Sequence, residues 1–203
     1  YIQKLQSSSE YLLGLINDIL DLSKIESGSI ELKKESMNLR KVAEQIAAII
    51  RPNVLSGGKK FRISEESFCH EHVLGDSIRI RQVLMNLLSN AVKYTPEGGE
   101  ISLRVEELSS DKKYAIISDT GPGMSKEFLQ HIFEPFARAE MLEREIQGTG
   151  LGMAITKSIV DSMRGTIEVY STIGKGSRER SGRQYGRNKR FGPQWHAFSL
   201  CGR

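Results

Sequence analysis

The sequence predicts an α+β fold: a two-layer α/β sandwich, a mixed sheet packed on helices, preceded by a long N-terminal helix. Three observations predict it. A heptad stripe runs through the opening segment. Helical apolar periodicity recurs at 39–50 and again at 77–94. Short β-rich runs bounded by turn residues alternate with those helices in an order that suits one sheet covered on one face.

Taken in order, Ile2, Leu5, Ser9, Leu12, Ile16, Ile19 and Ser23 recur in three- and four-residue steps, and Leu13 and Leu20 widen the stripe. A lone stripe buries poorly. It can pack on its own domain or join partner helices in a bundle, and the sustained period favours the bundle and a homodimer. Gly28, after Ile25-Glu26-Ser27, supplies a helix stop. Residues 30–32 read as a short strand, and 39–50 as a helix ending near Pro52. Ser56-Gly57-Gly58 makes a turn before a candidate strand at 61–63. Asp76 is placed to N-cap the helix at 77–94, because a carboxylate there can accept the first free N–H groups. Strands follow at 101–107 and 114–118, with a turn at Ser109-Ser110-Asp111. A short helix at 126–131, a helix at 151–163 and a strand at 166–171 complete the pattern. Residues 1–28, 29–177 and 178–203 therefore form the three expected parts.

With 203 residues, 27% charged and 38% hydrophobic, the chain suits one soluble domain plus an appendage. No apolar run approaches the roughly 20 residues that span a bilayer, so no membrane contact is expected of it. Opening without Met, inside a helical pattern, it reads as a piece of something longer. Cys69 and Cys201 match no metal or redox spacing, which points to a reducing, cytoplasmic setting. The net charge of +4 invites a nucleic-acid reading. Seven Lys/Arg against Glu179 give 177–203 a net +6, however, leaving about −2 for residues 1–176. The body is not basic. The tail is rich in Arg, Gly and Ser, with Phe191, Trp195 and Phe198 scattered through it. An arm for single-stranded nucleic acid is conceivable; disorder is the preferred expectation, with no nucleic-acid partner.

Three stretches carry chemistry. Asn86 and Asn90 lie four apart on one helix, so both amides emerge on one face, where their oxygens suit a hard cation such as Mg²⁺. Lys93 and Tyr94 close that helix with an ammonium for phosphate and a ring for stacking; an ordinary polar helix surface is the alternative. Asp119-Thr120-Gly121-Pro122-Gly123-Met124 follows a strand, and its carboxylate could accept from an exocyclic amine; a capped turn is the alternative. Gly148-Thr149-Gly150-Leu151-Gly152 opens a helix, where free N–H groups and the positive dipole end favour phosphate. It is neither the dinucleotide fingerprint nor a P-loop, which would need a Lys followed by Ser or Thr.

In this order, with Phe133-Glu134-Pro135-Phe136-Ala137-Arg138 between the last two, these stretches resemble the N, G1, F and G2 boxes of bacterial sensor histidine kinases. The wider group includes gyrase B, Hsp90 and MutL, and shares the Bergerat-type ATP-binding fold. The resemblance runs from Tyr1 to about Ser177, and Leu22-Ser23-Lys24-Ile25-Glu26-Ser27-Gly28 resembles the end of the second helix of the dimerisation and phosphotransfer hairpin. It implies ATP and Mg²⁺ as cofactors. Asp119 would bind the adenine amino group, with Gly121 and Gly123 shaping that wall. Asn86 and Asn90 would hold Mg²⁺, with Lys93 near the phosphates and Tyr94 on adenine. Residues 137–147 would form a lid from which Arg138, and less directly Gln147, reach the phosphates. Gly148, Thr149, Gly150, Leu151 and Gly152 would make room for them, while Phe133 and Phe136 anchor the lid by packing. The parent would pass the γ-phosphoryl to a histidine and then to an aspartate on the receiver domain of a response regulator.

Hydrolytic members of the group carry a Glu one turn before the Mg-binding Asn to orient water. Here that place holds Asn86, which cannot take a proton, so transfer to an outside nucleophile is favoured over hydrolysis. A nucleotide-binding regulatory module without turnover is the other alternative. No histidine in the chain is a credible acceptor, so no catalytic residue is assigned. His70 and His72, with Cys69 and Glu71, fit no zinc spacing. His131 reads as a surface residue and His196 lies in the tail. The family pattern continues after Gly174-Lys175-Gly176-Ser177 with an alternating strand. Arg178-Glu179-Arg180-Ser181-Gly182-Arg183 departs from it, which suggests a shifted reading frame and a missing sheet strand.

Overall fold

The computed structural model describes residues 2–26, 32–65, 72–109, 112–137, 148–173 and 194–199. Helix α1 (Ile2–Glu26) leads. Strand β1 (Glu35–Asn38), helix α2 (Leu39–Ser56), strands β2 (Lys60–Glu65) and β3 (His72–Gly75), and helix α3 (Ser77–Tyr94) follow. Then come β4 (Glu100–Ser109), β5 (Lys112–Asp119), α4 (Lys126–His131), α5 (Gly152–Ser162), β6 (Ile167–Ser171) and β7 (Gln194–Ser199).

The principal sheet has the order β2-β4-β5-β7-β6. β2 and β4 are parallel and the other neighbours antiparallel, so the sheet is mixed. β1 and β3 form a separate antiparallel pair. The core lies between the sheet and α2, α3 and α5. Leu39, Val42, Ala43, Ile46, Ile50 and Val54 of α2, and Ile80, Val83, Leu84, Leu87, Leu88 and Ala91 of α3, recur at helical spacing and are buried. Ile101, Leu103 and Val105 of β4 alternate onto the same core, met by Ala115 and Ile117 of β5. Each of the larger side chains contributes about 1.5–3 kcal/mol by leaving water. The α+β sandwich expected from the sequence is the observed fold.

Local chemistry explains the helix starts. Asp76 Oδ1 accepts from the N–H groups of Ile78 and Arg79, each at 3.1 Å, and Asn38 Oδ1 accepts from Lys41 N at 3.0 Å.

Three expectations need correction. Helix α2 does not end near Pro52 but carries it inside and runs on to Ser56. The last turn is held by fully buried Val54 and closed by Gly57 N–H donating to Asn53 O, which outweighs one lost backbone bond on an exposed face. The strand expected at 30–32 is not found at Leu32, while residues 30 and 31 lie outside the described residues. The pairing begins instead at β1, whose partner β3 is four residues long and too short to show a period. Finally, 178–203 was expected to be without structure and to leave an edge bare, yet β7 within it is inserted between β5 and β6. Backbone groups of two strands needed a partner, and the aromatic, β-prone run at 194–199 supplies it in an antiparallel register, Ile116↔Ala197↔Glu168.

Helix α1 packs on α5. Leu22 turns toward the core, whereas Leu12, Leu13, Ile16, Ile19 and Leu20 of the heptad stripe stay exposed by about half or more, 50–61%. One face of the helix thus meets its own domain, and the apolar face is exposed.

Candidate functional site

The site forms along the C-terminal half of α3, where two loops approach it from different strands and helices. The first loop leaves the end of β5. Register pairs Ile101 with Asp119, which places the carboxylate at the end of a central strand. Asp119 Oδ1 accepts from Gly121 N at 2.8 Å, a tight turn that fixes the carboxylate. Burial raises its carboxyl above the ordinary carboxylate range, and the Gly121 hydrogen bond partly offsets that. Gly121 is buried against α3: a Cβ there would lie 2.8 Å from Asp119 Oδ1 and 3.0 Å from Tyr94 O. Asp119, Gly121 and Tyr94 are therefore brought together, and only glycine fits between them.

The second loop opens α5. Gly148 meets the Lys93 ammonium, and Lys93 Nζ itself stands 5.0 Å from the centroid of the Tyr94 ring. Gly150 has φ +73, and a Cβ on it would lie 2.8 Å from the Phe136 backbone. Phe136 N–H donates to Gly150 O at 3.1 Å, and Phe136 itself sits at φ 64, unusual for a bulky residue. The Phe-rich segment and the glycine-rich turn are thus joined through backbone, and Phe136 is exposed rather than packed. That departs from the expectation of a packing anchor: its main chain makes the junction.

Asn86 links α3 to α5. Its Nδ2 donates to Gly152 O at 3.3 Å and to Thr156 Oγ1 at 3.4 Å, so the amide oxygen is the end available for a cation. Asn90 lies one turn further along α3 and is half-buried. Thr149 Oγ1 accepts from Leu151 N at 3.1 Å and donates to Asp18 Oδ2 of α1 at 3.1 Å. Leu151 is fully buried, pinning the turn to the core. Gly123, at φ 74, completes the Asp119 loop. Arg138 and Gln147 lie outside the described residues, as do most of 137–147 and His70, Cys69 and Glu71.

His131 is exposed and pairs with Glu134 at 2.7 Å, as a surface histidine would. Among the described residues no cluster of His, Cys, Asp and Glu could hold a metal, and no helix is long and apolar enough to cross a membrane. Two participants escaped sequence reading. Thr156, fully buried and bonded to Asn86, carried no signal beyond its place four residues after Gly152. Asp18 of α1, bonded to Thr149, carried no signal in the sequence either.

A fixed carboxylate at a strand end, two amides on one helix face, an ammonium and a glycine-rich helix start suit a ligand with a polar ring at one end and phosphates at the other. Comparison with known proteins agrees. Residues 75–180 match the family described as histidine kinase-, DNA gyrase B-, and HSP90-like ATPase. The chain is 41% identical over 181 residues to the non-motile and phage-resistance protein of Caulobacter vibrioides, covering 87% of this chain and 21% of that one. It is 38% identical to the autoinducer 2 sensor kinase/phosphatase LuxQ of Vibrio vulnificus, with the same coverage of 87% and 21%. The chain thus spans about a fifth of the length of these curated relatives. Among solved structures, full-length ShkA in complex with AMPPNP is similar at a TM-score of 0.77 and 26% identity, covering 98% of this chain and 37% of that one.

Proposed function

The chain belongs to the histidine kinase-, DNA gyrase B- and HSP90-like ATPase family, and on that footing we propose that residues 29–177 are the catalytic, ATP-binding domain of a sensor histidine kinase, with residues 1–28 the second helix of its dimerisation hairpin. The observation that carries the reading is the convergence on α3: Lys93 against Gly148, Asn86 against Gly152, and Tyr94 against Gly121 beside Asp119.

The residues fit Mg-ATP. The absence of a side chain at Gly148 lets the Lys93 ammonium lie against the turn, that at Gly150 lets the Phe136 backbone close on it, and the part-buried Asp119 carboxylate is fixed by the Gly121 N–H. Asp119 would accept from the adenine amino group, and Tyr94 would cover the ring. Asn86 and Asn90 would turn amide oxygens to Mg²⁺, and Lys93 would neutralise phosphate charge. Gly123 would shape the base wall, while Thr149, Leu151 and Gly152 would line the phosphate end, joined by Arg138 and Gln147. Bound Mg-ATP would supply the transferable γ-phosphoryl group. Asn86 cannot act as a base toward water, and its amide nitrogen is already committed to α5, which supports transfer to an outside nucleophile over hydrolysis. That nucleophile would be a histidine outside these residues, and the phosphoryl group would pass on to an aspartate of a response regulator. The exposed stripe of α1 supports homodimerisation of the parent, and the setting would be cytoplasmic.

The test mixes this chain with Mg-ATP and a separate polypeptide bearing an acceptor-histidine helix, and follows acid-labile phosphate. Transfer is expected. Free phosphate without transfer would support a hydrolase instead, binding alone a regulatory module, and no binding would defeat the reading.

A further inference from the structure

Helix α1 meets the proposed phosphate end at the Thr149 hydroxyl. Thr149 Oγ1 holds the start of α5 by accepting from Leu151 N, and spends its one proton on Asp18 Oδ2 at 3.1 Å. One helical turn along, Asp21 Oδ2 accepts from Gln82 Nε2 at 2.7 Å, and Asp21 Oδ1 meets Arg79 of α3 at 3.4 Å. Asp18 and Asp21 share a face by their i, i+3 spacing, with Leu22 beside them packed toward the core. The apolar stripe lies elsewhere on the helix and stays exposed, so docking of α1 uses polar contacts that bundle formation does not.

We propose that the Asp18–Thr149 contact is a nucleotide-sensitive latch: α1 docked in this way opposes triphosphate binding, and triphosphate binding releases α1. The inference rests on the functional reading above. Thr149 can donate its proton to Asp18 or to a phosphate oxygen, not to both. A carboxylate held beside the turn also repels an incoming polyanion across a poorly screened, part-buried gap. Burial raises the Asp18 carboxyl above the ordinary carboxylate range, the Thr149 hydrogen bond lowers it, and the neighbouring Asp21 raises it further. By linkage, whatever docking costs the nucleotide, the nucleotide costs docking.

The experiment titrates the full chain with a fluorescent ATP analogue in Mg²⁺, and with AMP in competition, before and after Asp18→Asn. The substitution keeps an acceptor for Thr149 and removes the charge. About fivefold tighter binding of the triphosphate is expected, with AMP changed by less than about twofold. Amide exchange across α1 should also quicken in the parent chain when the triphosphate is added and not with AMP. If the parent binds triphosphate but Asp18→Asn leaves its affinity unchanged or weakens it, the latch is wrong and the nucleotide reading stands. If the parent binds no nucleotide, both fall. Should Asp18→Asn not fold, Asp21→Asn weakens the same docking one turn away, and the same tightening is expected; its absence overturns the proposal.

Discussion

Lys93 Nζ lies where a side chain on Gly148 would have to go. The ammonium can swing away, because it is the far end of a flexible stem. Gly148→Ala should therefore leave stability nearly intact, within about 0.5 kcal/mol, while weakening Mg-ATP binding about tenfold by displacing the cation from the phosphate end. Thermal unfolding and a nucleotide titration on the same sample check both halves.

Gly150 behaves differently. Its φ of +73 and the Phe136 backbone at 2.8 Å leave no inexpensive adjustment. Gly150→Ala should cost about 1–3 kcal/mol, read by denaturant unfolding. The same turn predicts that Phe136→Gly stabilises, since the strained φ of 64 is relieved and the exposed ring gives up little packing.

Asp119 sets function against stability. Its carboxyl is raised above the ordinary range by burial, so the folded state holds the proton more tightly than the unfolded chain. The stability associated with that proton is full at acid pH below the unfolded value and is lost as pH rises through the raised folded value. Near neutral pH the charged group is a net burden. Asp119→Asn, which can still accept from Gly121 N–H, should abolish nucleotide binding yet unfold at the same or a higher temperature at neutral pH, with the gain shrinking toward acid pH. Calorimetry across pH would contradict this if the variant were less stable throughout.

Much of this was legible because the signals are local. Asp76 announces its helix through a cap two and three residues away, and the buried faces of α2 and α3 repeat at a period any single window contains. The site was legible as three stretches, each weak alone and telling only in order. What escaped depends on distance. Asp18 and Thr149 are 131 positions apart, and nothing in a polar helix position says which hydroxyl it will meet. β1 and β3 are too short for alternation to register, and 194–199 gains its strand only from two neighbours already waiting for one.

The placement of β7 is itself testable. Ala197 pairs with Ile116 on one side and Glu168 on the other, so its backbone serves a central strand. Ala197→Pro removes a ladder donor and fixes φ near −65°, away from the strand value, and should cost about 3 kcal/mol or more. Thermal unfolding that does not move on this substitution would show the strand contributes nothing to the sheet.

Asn86 differs from Asn90 in having an amide nitrogen committed to helix contacts. Asn86 donates to Gly152 O and Thr156 Oγ1 between two packed helices, whereas Asn90 sits one turn on. Asn86→Asp replaces that donor with acceptor oxygens facing a carbonyl, so it should lose about 1–3 kcal/mol of stability as well as nucleotide affinity. Asn90→Asp should mainly alter metal-dependent binding, seen as a changed Mg²⁺ requirement at unchanged unfolding temperature. Equal destabilisation by both would mean that Asn90 too is a packing residue, and the assignment of the cation to this face of α3 would have to be withdrawn.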